Sequence, residues 1–214
     1  MIAILSDIHA NLEALEAVHA DLQQRGIKRI FFLGDIVGYG PSPGEVLDFI
    51  KEYEFCLLGN HDEACLQGPS KKFNPAAMRS AWWTRGQICP DEMKNSLFHP
   101  SLYKRRKEQW AFLQGLKPTR TVGQIMFVHD TPADPGSWRY VRSHEEADKG
   151  FKKHPEMRAF FFGHSHQPGV WTESGYIVPE PGRKFDFKKR LMVNVGSVGQ
   201  PRDKDPRACY VIME

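Results

Sequence analysis

Residues 1–40 read MIAILSDIHANLEALEAVHADLQQRGIKRIFFLGDIVGYG. Met1 to Leu5 is an apolar run of strand length that stops abruptly at Ser6-Asp7-Ile8-His9. Asn11 offers an N-cap to a helix whose apolar face is Leu12, Leu15, Val18 and Leu22, and Gly26 ends that helix. A second apolar run, Ile30 to Leu33, stops at Gly34-Asp35. Gly44 to Tyr53 reads as the next helix and Phe55 to Leu58 as a third run, so the chain opens β-α-β-α-β, the pattern of an α/β protein.

Further along, Asn74-Pro75 is a cap followed by proline at the first helical position, which predicts a helix to about Ile88. A second helix is expected over Lys107 to Leu116, making residues 63–120 a helical insertion within a single domain spanning 1–214. Strand-like runs return at Gln124 to Val128 and Arg158 to Phe162, with a helix from Ser143 to Lys153 between them. Val170 to Val178, Leu191 to Val195 and Ala208 to Met213 read as late strands joined by turns. No repeat, low-complexity tract or Ser/Gly linker divides the chain.

With 41% hydrophobic and 26% charged residues, the 214-residue chain has the composition of a globular domain, which excludes disordered and fibrous classes. Runs such as Ala159 to Phe162 are far shorter than the roughly 20 residues that cross a bilayer. The polar turn at Ser6-Asp7 leaves no readable signal peptide, so the expected location is cytoplasmic. Cys56, Cys65, Cys89 and Cys209 form no Cys-x-x-Cys pair and read as reduced thiols, so a metal would need other ligands. A net charge of +3 is too mild to indicate a nucleic-acid partner.

What ends each apolar run is the informative feature. The runs close on Asp7 and His9, on Asp35, on Asn60-His61-Asp62, on His129-Asp130, and on His164-Ser165-His166. Side chains just past the carboxyl ends of strands in an α/β sheet converge on one rim. Imidazole, carboxylate and amide oxygen without thiolate suit Mn, Fe, Zn or Co rather than calcium or magnesium. Seven candidate ligands are too many for one ion and suit two ions sharing a bridging carboxylate.

These blocks, in this order, resemble the calcineurin-like metallophosphoesterases, from the first residues to about Arg202. The resemblance implies two mixed β-sheets packed face to face with helices on the outside. It implies that Asp7, His9, Asp35 and His166 hold one ion and that Asp35, Asn60, His129 and His164 hold the other, with Asp35 as the bridge. The implied cofactors are two divalent or trivalent transition-metal ions: Mn, Fe, Zn, Ni or Co. His61 matches the family's catalytic histidine, which contacts the phosphate and protonates the leaving oxygen. The implied function is hydrolysis of phosphate esters or phosphoanhydrides of a small soluble phosphorylated substrate by a metal-bridging hydroxide. Competing readings are a nucleic-acid phosphodiesterase and a non-catalytic protein-binding scaffold; self-association into a homo-oligomer stays open.

Ser6 to Leu15 and Gly34 to Gly40 also resemble a small bacterial branch related to diadenosine tetraphosphatase-like phosphoesterases. Gly38-Tyr39-Gly40 stands where the serine/threonine protein phosphatases carry Asp-Arg-Gly, and Asp62 stands where they carry Glu. Protein phosphatase and symmetrical diadenosine tetraphosphate hydrolase activities are therefore disfavoured. Asp130 occupies a position the family usually gives to Gly, and it is read as an extra metal ligand, a repeller of anionic substrate or a solvent-facing group. Substrate contacts are read at Asn60, His61, Trp83 and Arg202, with a loop salt bridge the favoured reading for Arg202. Met78, Ala81, Trp82 and Ile88 share a helical face, which turns Trp82 inward and leaves Trp83 exposed. Phe73, Trp82, Trp83 and Trp110 read as a base-stacking wall or as core. Lys104 to Lys107 and Lys188 to Arg190 read as solvated faces rather than a nucleic-acid track.

Overall fold

The computed structural model describes residues 1–71, 73–93 and 98–214. Three strands near the N-terminus, β1 (Ile2–Leu5), β2 (Arg29–Phe32) and β3 (Phe55–Cys56), lie parallel in that order. A second sheet runs β4 (Thr119–Val122), β5 (Ile125–Val128), β6 (Ala159–Phe162), β9 (Leu191–Asn194), β7 (Gly169–Thr172), β8 (Gly175–Ile177). Within it β5, β6 and β9 are parallel and the outer pairs antiparallel. The last strand, β10 (Val211–Met213), returns to the first sheet and pairs antiparallel with β1.

Strand alternation assigns each side chain to a layer. Ile4, Phe31, Leu33 and Phe55 of the first sheet meet Phe127, Phe161, Val170 and Val193 of the second in one buried cluster. Their neighbours Ala3, Leu5, Ile30 and Phe32 point the other way, onto Leu15, Val18 and Leu22 of α1 (Leu12–Gln24) and Val46, Leu47 and Ile50 of α2 (Pro43–Ile50). On the far side, Val128, Phe160, Phe162 and Met192 pack against Ala147 and Phe151 of α6 (His144–Lys153). The result is helices, sheet, sheet, helix. Central strands covered on both faces read as continuous apolar runs.

Local capping fixes several helix starts. Asn11 Oδ1 accepts from the Ala14 N–H at 3.1 Å, and Asn74 Oδ1 from the Ala77 N–H at 2.9 Å, opening α4 (Pro75–Ile88). Ser143 and Glu146 form a reciprocal capping box at α6. Between β3 and α4 lies a helix the sequence pattern did not announce, α3 (Asn60–Gln67), because its first turn is made of polar site residues. The helix expected from Lys107 begins at Pro100, so α5 is Pro100–Gly115; its basic first half carries no apolar stripe to mark it. β4 also went unread, being an edge strand whose residues are mostly exposed. The expected run from Val170 to Val178 divides into β7 and β8.

Trp82 does not face inward. α4 buries Ala77, Ala81, Thr84 and Ile88, while Trp82 and Trp83 are 52% and 46% exposed. Small side chains on the inner face allow close approach to α3, and the Trp82 ring lies over Gly68 instead, where a Cβ would come within 3.2 Å of it. The four aromatic residues make no common wall: Trp110 packs on the first core, and Phe73 stands 5.0 Å from His61. No helix among the described residues is long and apolar enough to cross a membrane.

The seam between the sheets centres on Phe127, fully buried with Phe31, Phe55 and Phe161 ring centroids 5.2, 5.4 and 5.6 Å away. Phe127→Ala is expected to cost about 3–5 kcal/mol of unfolding free energy, read by urea denaturation. A loss below about 1 kcal/mol would mean that the sheets do not depend on this contact.

Candidate metal centre

The loops that leave β1, β2, β3, β5 and β6 all open at one end of the sandwich and carry the site. Asp7, His9, Asp35, His164 and His166 take left-handed backbone φ between 50° and 65°, costly for residues with a Cβ. These turns aim the side chains at a shared centre. Close approach is built in: a Cβ on Gly59 would collide with the Asp35 amide and carboxylate, and one on Gly163 with Ser6 and Asp7.

Asp62 holds the rim together. Its buried carboxylate accepts N–H bonds from Asp35 at 3.0 Å, Ile36 at 3.0 Å, Val37 at 3.1 Å and Gly59 at 2.9 Å. Asp35 Oδ1 in turn accepts from the His61 N–H at 2.8 Å, and Asp7 Oδ2 from the His164 N–H at 3.0 Å. Ser197 donates to the Asp7 carbonyl and Asn194 to the Gly163 carbonyl, so the late segment braces the first and last blocks.

Four imidazoles around the centre each give one N–H to a backbone carbonyl. His9 Nδ1 donates to Val37, His129 Nδ1 to Leu33, His166 Nδ1 to Gln200 and His164 Nε2 to Trp138, at 3.1, 2.8, 2.6 and 3.0 Å. A carbonyl can only accept, so the ring nitrogen turned inward is the one left without a proton in a neutral ring. His9 Nε2 and His166 Nε2 then face each other at 3.1 Å. Asp7 Oδ1, buried and without a hydrogen-bond partner, lies 3.3 Å from His166 Nε2. Two opposed lone pairs beside an orphaned carboxylate oxygen suit a cation between them. Ligand atoms of Asp7, His9, Asp35 and His166 lie within 4.8 Å of one another, as do those of Asp35, His129 and His164. Asn60 Oδ1 stands 3.3 Å from His129 Nε2, joining the second group, and Asp35 belongs to both.

The electrostatics favour positive charge. Burial opposes ionisation of Asp35, yet His129, His61 and His9 hold its carboxyl well below the usual carboxylate range. Burial likewise opposes a charge on His129, but Asp35 and Asp7 push it up to about 10. Burial and the neighbouring His129 bring His164 down to about 4.

A cavity of about 110 Å³ opens over this centre, with Tyr39, Asn60, His61, Asn74, Tyr140 and Arg202 at its wall. His61 is buried, with Tyr39 4.5 Å from its ring and Nδ1 unpartnered. Arg202 is exposed and has no carboxylate within 4.0 Å among the described residues; it bonds Gln200 and lies 5.9 Å over Tyr39, so the expected loop salt bridge is absent. Trp83 is not among the residues lining the cavity. Asp130 is 1% exposed, and its carboxylate accepts from the Gly136 and Trp138 N–H groups, so it does not face solvent. Tyr140 and Asn74 escaped sequence reasoning, Tyr140 because it sits in a patternless loop.

The basic clusters are largely occupied. Arg105 bonds Asp48, Arg106 the Gly86 carbonyl, and Arg190 the Met157, Phe151 and His154 carbonyls.

A model of the calcineurin-like phosphoesterase superfamily domain matches residues 1–214. The uncharacterized protein MJ0912 of Methanocaldococcus jannaschii is 38% identical over 218 residues, covering 100% of this chain and 82% of that protein. The crystal structure of a metallophosphoesterase from Sphaerobacter thermophilus is 34% identical with a TM-score of 0.77, covering 98% of this chain and 81% of that one. A cold-active protein tyrosine phosphatase, 15% identical, shares the fold alone at a TM-score of 0.51, over 94% of this chain and 71% of its own.

Removing the Asp62 carboxylate would strand four buried N–H groups. Asp62→Ala is expected to lose more than about 4 kcal/mol or fail to fold, with Asp62→Asn less affected because one amide oxygen still accepts. Denaturant titration of both variants checks the order; equal stability to the parent in either case would contradict it.

Proposed function

The chain belongs to the calcineurin-like phosphoesterase superfamily, and from that premise we propose that it is a metal-dependent phosphoric ester hydrolase with a pair of transition-metal ions. One observation carries the reading: four imidazoles surrender their outer N–H to carbonyls and turn the other ring nitrogen toward Asp7 and Asp35. Asp7, His9, Asp35 and His166 would hold one ion, and Asp35, Asn60, His129 and His164 the other. Mn, Fe, Zn, Ni and Co all suit this donor set. When bound, such ions supply Lewis acidity, screening phosphoryl charge and making water nucleophilic near neutral pH.

The chain's own residues supply binding, orientation and a proton. His61 lies at the cavity wall beside Asn60, placed to give a proton to the leaving oxygen. Burial lowers its pKa, and the negative charge of a phosphate in the cavity acts in the opposite direction. Arg202 lines the cavity with no carboxylate to neutralise it among the described residues, and would meet a phosphoryl oxygen there. Tyr39 and Tyr140 line the cavity beside His61 and His164.

The cavity volume of about 110 Å³ is smaller than the roughly 300–1,000 Å³ of pockets that enclose a whole ligand. It holds a phosphoryl group, and the rest of a small soluble substrate extends over the rim. Internal use of Arg105, Arg106 and Arg190 speaks against a nucleic-acid track. We place the enzyme in the cytoplasm and read residues 1–214 as one domain, with 63–120 as a helical insertion beside the site.

Purified protein should hydrolyse p-nitrophenyl phosphate or its bis ester when supplied with manganese, and lose that activity to a chelator. Absence of turnover on both esters with ions bound would end the proposal. His61→Ala should lower turnover about 10²–10⁴-fold while metal content measured by elemental analysis stays unchanged. A variant with undiminished turnover on a poor leaving group would remove His61 from the proton step.

A further inference from the structure

Three of the inward-facing imidazoles are held by carbonyls that belong to the core blocks or the late segment: His9 by Val37, His129 by Leu33, His166 by Gln200. His164 is the exception in both respects. It presents the opposite ring nitrogen inward, and its Nε2–H goes to Trp138, in a loop without regular structure between β5 and α6. A carbonyl in such a loop fixes a ligand only if the loop itself is fixed.

Trp138 is pinned unusually well. Its φ is +59°, a strained value for a bulky residue. Its backbone N–H donates to Asp130 Oδ2 at 2.6 Å, and the Gly136 N–H donates to the other carboxylate oxygen at 3.1 Å. Its indole N–H donates to Glu63 Oε2 at 2.8 Å. Two residues on, Tyr140 stacks on the His164 ring at 4.2 Å and 10°, with the Arg142 guanidinium 3.9 Å from its ring. Asp130 directly follows His129, and Glu63 lies one turn of α3 beyond Asn60.

We propose that Asp130 and Glu63 are positioning residues for the second metal position: through Trp138 they fix the tautomer and orientation of His164, tying it to Asn60 and His129. The proposal rests on the metal-pair reading above. It also gives Asp130 a task different from the three read from sequence. Asp7, His9 and His166 have no hydrogen bond to Asp130, Glu63 or Trp138 among the described residues, so the effect is confined to one of the two positions.

The test compares wild type with Asp130→Gly, Glu63→Ala and Glu63→Gln, each titrated with manganese and then analysed for bound metal per chain. Wild type should retain about two ions, whereas Asp130→Gly and Glu63→Ala should bind one ion normally and the other about 10–100-fold more weakly. Glu63→Gln, which keeps an acceptor for the indole, should restore wild-type affinity. If Asp130→Gly does not fold, Glu63→Ala against Glu63→Gln decides alone. Variants that melt earlier yet bind both ions with unchanged affinity would overturn the proposal and leave the metal-pair reading intact. A wild-type protein that binds fewer than two ions would overturn that reading, and this proposal with it.

Discussion

Asp62 lies at the start of α3 and spends its carboxylate on four backbone N–H groups, drawn from the loop after β2 and from Gly59 before the helix. A hydrogen bond to a charged acceptor is worth about 1.5–3 kcal/mol, and stranding a buried donor costs a similar amount. No other side chain of the rim accepts so many backbone N–H bonds among the described residues. Because those amides include that of Asp35, and because Asp35 accepts from the His61 amide, one carboxylate sets the spacing of Asp35, Asn60 and His61. Gly59 is obligatory beside it, since a side chain there would occupy the space of Asp35.

The centre straddles the seam between the sheets. Asp7, His9, Asp35 and Asn60 follow strands of the first sheet, while His129, His164 and His166 follow strands of the second. Their mutual positions therefore depend on how Phe31, Phe55, Phe127 and Phe161 stack between the layers. Bonds across the seam keep the register: His129 to the Leu33 carbonyl, the His164 amide to Asp7, the Gly199 amide to the Asp7 carbonyl. Left-handed backbone at five site residues is strain of about 1–3 kcal/mol each, tolerable because the strands behind them are buried on both faces.

Legibility in the sequence followed locality. The caps at Asn11 and Asn74 were readable because donor and acceptor lie within one helical turn. The site blocks were readable because each interrupts an apolar run, and the resemblance they carry supplied the sandwich, whose strand order no periodicity encodes. α3 was hidden because its opening turn is written in site residues. Trp82 was misplaced because periodicity identifies a face but not whether the neighbouring helix leaves room for an indole. The roles of Asp130 and Tyr140 depend on a loop whose path is set by contacts far along the chain, with Glu63 and His164.

Carboxylates of one rim divide into satisfied and open groups, and that division separates architecture from chemistry. Asp62 and Asp130 have their oxygens taken by amides. Asp7 Oδ1 accepts nothing, His61 Nδ1 and Ser6 Oγ have no partner, and the inner nitrogens of His9 and His166 oppose each other. Low dielectric makes each such group costly, and folding alone could have relieved them by a different side chain or a shifted loop. Instead the outer N–H of His9, His129, His164 and His166 is committed to a carbonyl, so these four rings cannot flip to relieve the inner conflict without breaking a buried bond. Unsatisfied acceptors held rigidly around one point leave positive charge as the remedy. That is how an architecture of fully used hydrogen bonds can prepare a site for cations.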